Sequence, residues 1–250
     1  MNSGLVVDSP SALEFQRAIR DRIGDSQLRA IAGELCLKSA ALGELLSEGS
    51  FELNRAALRQ MLGWVFATRR RSDELLDVLG PGLLAEAVAR LLWSGAELSE
   101  RIDDFDAALS ALAGVPELSR CRFDLPFELL HFTSPERYWL WTRWIFEPEA
   151  GTGALTLLTT GESDLGAATT RGALYLNIGR AMALVEETGK AVGFSAVGPG
   201  PFGIDVLLAA VYGLYMHTIL RLRMTPEFNR VTPALPDVVR RLLGVYHLEV

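Results

Sequence analysis

The chain has 250 residues, enough to bury a real core in one large or two small domains, and its 49% apolar and 22% charged content is that of a globular protein. A net charge of −7 argues against a large nucleic-acid footprint, which would need clustered Lys and Arg. Two cysteines, Cys36 and Cys121, make neither a disulfide framework nor a zinc set, and the first residues lack the basic start and apolar run of a secretory signal. A reducing, cytoplasmic setting is therefore expected.

Charge is spread unevenly. Residues 1–119 carry 12 basic and 18 acidic side chains, a balance of −6, which leaves −1 for the remainder. If the chain binds an anion, the second half is the expected place.

The first half reads as helix after helix. Ser11 with Glu14 fits a capping box ahead of a helix over 12–23, which Gly24 and Asp25 end. Leu28, Ile31, Leu35, Leu42, Leu45 and Leu46 recur at three- and four-residue steps, predicting one apolar stripe on a helix that stops near Gly49. A third helix follows from Leu53 to Val65 and runs up to Arg69, Arg70 and Arg71. These arginines complement a helix end and are neutralised by Asp73, Glu74 and Asp77. Ser72 is placed to cap a short helix that Gly80 and Pro81 terminate. Further helices are expected over 83–98 and 103–112.

The second half is less regular. A short helix is predicted over 122–133, and Ser134-Pro135-Glu136 signals a restart, with an N-cap, a first-turn proline and an acid that suits the dipole. The aromatic run that follows to Phe146 is read as a helix. Residues 153–160 are glycine- and threonine-rich with a β-favouring patch, a loop or one small hairpin. A helix over 171–188 then leads into a glycine–proline loop. Thr225-Pro226-Glu227 repeats the cap, proline and acid signal, and Pro236 opens a last helix.

The most apolar stretch, 202–222, is interrupted only by Asp205 and His217 before its closing arginines, and a helix apolar on every side is buried. At about 20 residues it borders on membrane-spanning length, but two ionisable groups argue against integral insertion. The fold expected is all-α: a multi-helix domain over 1–250 around this helix, dividing near Gly114 to Arg122 into subdomains 1–118 and 122–250.

Four groups of residues could carry chemistry. Gly198, Gly200 and Gly203 precede the apolar helix, where unsatisfied N–H groups and the dipole favour an anion, and Arg143 supplies a positive charge in the same half. The Gly-x-Gly turn resembles, over about a dozen residues, the hairpin of helix-hairpin-helix nucleic-acid modules. It departs from them in having two prolines, no following lysine and Asp205 in the first turn. Tyr138, Trp139, Trp141 and Trp144 form an aromatic cluster of the residue types that dominate interface hot spots. Glu128 and His131 stand three apart, as in one half of a di-metal carboxylate site, with His131 also a candidate acid or base. No second Glu-x-x-His accompanies them, so neither a metal nor a cofactor is expected. Asp103-Asp104-Phe105-Asp106 superficially resembles the aspartate motifs of all-helical prenyl and terpene synthases, but its spacing differs, and it is read as a solvated helix start.

With no complete catalytic set, the expectation is a non-enzymatic interaction protein, an adaptor or assembly factor. Its aromatic helix would anchor a protein partner or a second copy, with nucleic acid disfavoured. The alternative is an enzyme or binding protein for a small phosphorylated ligand at Gly198–Gly203 with His131 and Glu128. Nucleic-acid binding through the hairpin-like turn is the weakest reading.

Overall fold

A computed structural model describes residues 4–47, 53–161, 165–194, 200–223 and 233–246. About 70% of the chain is helical, and eleven α-helices are present among the described residues beside one two-stranded sheet. The all-α expectation therefore holds. The chain divides into two compact units that alternate along the sequence. One takes residues 1–36, 143–164 and 180–247; the other takes 37–142, 165–179 and 248–250.

The first unit is built on the apolar helix. Helix α10 (Gly203–Arg223) is packed by α1 (Ser9–Arg22), α8 (Ala154–Leu158) and α11 (Leu235–Leu242). From Ile204 to Val211 every side chain is buried, as its all-round apolarity requires. The burial does not extend along the whole helix: Tyr215 is 40% exposed. Gly213 lies against α11, where an added Cβ would stand 3.3 Å from Leu235 Cδ1 and in ordinary contact with Val238 and Val239. No helix among the described residues is long and apolar enough to cross a membrane.

Two local expectations change here. Helix α1 is capped by Asp8, whose carboxylate accepts from the Ser11 N–H at 3.2 Å and the Ser11 hydroxyl at 2.6 Å, so Ser11 lies inside the helix. Those two bonds hold the Asp8 carboxyl below its usual range. The 153–160 stretch is not a local hairpin. It forms α8 and then β2 (Thr159–Thr160), which pairs antiparallel with β1 (Val6–Val7) some 150 residues earlier. The turn before α8 depends on Gly153 at φ 141°, a conformation closed to other residues, where a Cβ would also strike the Ile145 and Phe146 backbone.

The second unit holds α3 (Arg55–Trp64), α4 (Ser72–Leu79), α5 (Pro81–Trp93), α6 (Leu98–Ala108), a 3-10 helix (Ser110–Gly114) and α7 (Pro116–Thr133). Helix α2 (Asp25–Leu45) begins in the first unit and continues into the second, and α9 (Arg171–Val192) does the reverse. Asn54 caps α3 by accepting from the Ala57 N–H, whereas Ser72 is the first residue of α4 and makes no side-chain cap. The aspartates at 103–106 lie in the middle and end of α6. Asp103 accepts from the Gly172 N–H at 2.8 Å, and Asp106 pairs with Arg122 and with Arg171 at 2.7 Å, so these two join α6 to its neighbours, while Asp104 is exposed. Thr225-Pro226-Glu227 lies outside the described residues.

Candidate functional site

Glu128 and His131 do share a face of α7, and both are sealed: Glu128 is 2% exposed and His131 1%. Their partners explain this. The Glu128 carboxylate receives the Lys38 ammonium at 2.9 Å and the Phe66 N–H at 3.3 Å through the same oxygen. Lys38 is itself fully buried, and its nitrogen stands 3.9 Å from the centre of the Phe132 ring. Burial lowers the Lys38 pKa and Arg69 adds to that, against the opposing pull of Glu128. His131 presents Nδ1 to the Tyr138 carbonyl at 2.7 Å; a carbonyl only accepts, so Nδ1 carries the proton. Glu128 and His131 thus hold α2, the Phe66 backbone and residue 138 in place. No cluster of three or more His, Cys, Asp or Glu side chains suited to a metal ion occurs among the described residues.

The aromatic segment is not the helix that its cap signals predict. Ser134 closes a single turn by accepting from the Arg137 and Tyr138 N–H groups, and the chain from Tyr138 to Thr142 is non-helical. Its carbonyls are claimed by side chains: Tyr138 O by His131, and Trp139 O by the Tyr175 hydroxyl at 2.9 Å. Local propensity has been overridden by these tertiary bonds.

The aromatic side chains of this segment meet different surroundings. Trp141 is fully buried, its ring 5.0 Å from Phe123, 4.5 Å from Phe127 and 6.4 Å from Tyr175. Trp144, 9% exposed, donates Nε1–H to the Leu242 carbonyl at 3.1 Å and lies against Tyr212 at 6.3 Å. Tyr138 and Trp139 are half-buried, the former accepting from the Arg101 guanidinium at 2.9 Å. Neither Trp141 nor Trp144 is available as an anchor for something outside, because each already fills an interior.

Of the anion candidates, Gly198 lies outside the described residues. Gly200 is exposed at φ 114°, and Gly203 starts α10. Asp205, in the first turn, is fully buried, so the positive end of the dipole already faces a carboxylate. Arg143 is half-buried. Gly200, Gly203 and Arg143 belong to the first unit, while Glu128 and His131 belong to the second.

Two features escaped the sequence reading. One is Lys38, which occupies the apolar stripe of α2 between Leu35 and Leu42, both fully buried. A lone lysine in such a stripe signals a buried pair. The other is the opposite face of α2. There Ala30, Gly33, Cys36, Leu37 and Ala40 are exposed, and Leu37, at 60%, is the most exposed of the large apolar side chains described. A cleft of about 210 Å³ on α5 and α6 is lined by Leu83, Glu86, Arg90, Asp104 and Phe105 among others, the last two from the aspartate run read in the sequence as a solvated helix start.

No protein-family model matches the chain, and comparison with curated proteins and with solved structures gives no match either.

Proposed function

We propose that the protein is a cytoplasmic, non-catalytic helical interaction protein whose contact surface is the outward face of α2. The observation that carries this is the contrast between Leu37, 60% exposed among other apolar residues, and the reactive pair Glu128 and His131, buried and spent on structure. General acid–base work requires a side chain that can reach substrate, which these two do not offer. A contiguous exposed apolar face marks an association site where a single scattered hydrophobic side chain does not, and Leu37, the most exposed of the large apolar side chains described, stands among exposed Ala30, Gly33, Cys36 and Ala40. The free thiols of Cys36 and Cys121 agree with a reducing compartment.

Leu37→Glu tests the reading. The variant keeps the helical circular dichroism and melting temperature of the wild type but loses association, whether with itself or with a purified partner. Thermal stabilisation by a phosphorylated metabolite, abolished by Gly200→Val, would instead support a small-anion ligand at the start of α10.

A further inference from the structure

We infer that α2 pairs with α2 of a second copy of this chain, antiparallel, about a two-fold axis passing between Cys36 and Leu37. This rests on the reading of α2 as the contact surface and names its occupant.

The exposed residues Ala30, Gly33, Leu37 and Ala40 recur at steps of three, four and three, the spacing of a seam between two helices. Within 30–43 the charged side chains are Glu34 and Lys38, and both are engaged within the chain. Glu34 receives the Arg240 guanidinium at 2.9 Å, and Lys38 pairs with Glu128. The seam is therefore free of charge until its two ends.

At those ends stand Arg29 and Glu44, both exposed and neither in an ion pair among the described residues. They decide the partner. In a two-fold antiparallel pair, residue i of one helix lies beside residue 73 − i of the other when the axis falls between 36 and 37. Arg29 then faces Glu44 of the second copy, twice over, about 22 Å apart end to end at 1.5 Å rise per residue. Gly33 faces Ala40, Ala30 faces Gly43, and Leu37 lies over Cys36. Small residues opposite small ones let the backbones approach to the short end of helix packing, about 8 Å. A parallel pair would set Arg29 against Arg29 and Glu44 against Glu44, and a shifted antiparallel register would strand both charges. The surface is complementary to itself in one register, as an isologous two-fold contact requires.

Light scattering on the full chain, with three charge variants and a short bismaleimide as thiol cross-linker, tests the pairing. Wild type should rise with concentration toward twice the 27.3 kDa monomer mass. Arg29→Glu and Glu44→Arg should each remain monomeric, and the double variant R29E/E44R should dimerise again. Cross-linking should join Cys36 to Cys36, with the buried Cys121 unmodified. Rescue by the double variant is something that mere damage to the fold cannot produce. A wild type monomeric at every concentration, or a dimer indifferent to these reversals, overturns the pairing. If such a monomer still binds a different purified protein and Leu37→Glu abolishes that binding, the second copy is the wrong occupant while the α2 surface stands; if Leu37→Glu changes nothing, both fall.

Discussion

Lys38 sits where the repeat of α2 would place a leucine, and it is tolerable there because Glu128 meets it at 2.9 Å. Removing one member leaves a buried charge alone, so Lys38→Met or Glu128→Leu should each cost about 3–5 kcal/mol in urea unfolding. The double variant should recover most of that loss, since two apolar side chains in place of a buried pair are often neutral. The folded-state pKa of Lys38 lies below the 10.5 of a free lysine, so between the two values the unfolded chain binds more protons. Its contribution to stability therefore grows as pH rises through that window, and Lys38→Met should flatten this slope. Trp141 belongs to the same scale. Fully buried against Phe123, Phe127 and Tyr175, it should cost about 3–5 kcal/mol of stability on truncation to alanine. Neither role was legible in residue type alone: tryptophan serves cores and interfaces equally, and only the contacts distinguish them.

The element scale separates strong local signals from overridden ones. The stripe Leu28, Ile31, Leu35, Leu42 and Leu46 is buried as its period dictates, and α10 is buried where it is apolar all round. Ser134-Pro135-Glu136 carries the same class of signal, yet only one turn forms, because His131 and Tyr175 take the carbonyls a helix would need. Pairing of Val6–Val7 with Thr159–Thr160 was equally hidden, since a strand of two residues has no readable period and its partner is distant in sequence. Helix α9 shows a related dependence: Gly172 at its start is so close to Ser99 that an added Cβ would fall on the Ser99 carbonyl. Gly172→Ala should consequently destabilise the protein by about 1–3 kcal/mol, seen as a lower denaturation midpoint with unchanged slope.

Across the whole molecule, the class of fold was legible in the sequence. The sequence suggested a division near Gly114 to Arg122, while the two compact units exchange chain at 36, 142, 164, 179 and 247, inside helices α2 and α9 and at the end of the non-helical aromatic segment among other places. Such exchange depends on long-range packing that no local break announces. Function follows a similar pattern. Residue types rich in chemistry drew attention to Glu128, His131 and Trp141, which the fold consumes internally, while an ordinary run of alanine, glycine and leucine on α2 stays outside. Its self-complementary charges were present in the sequence all along, but only burial shows which face of the helix they border.

The reactivity of the Cys36 thiol reports on that face directly, with the buried Cys121 as an internal reference. Alkylation of Cys36, followed by mass spectrometry over a range of protein concentrations, should slow as concentration rises in the wild type and stay constant in Leu37→Glu. A Cys36 rate that is equally fast at all concentrations in both proteins would contradict association through α2.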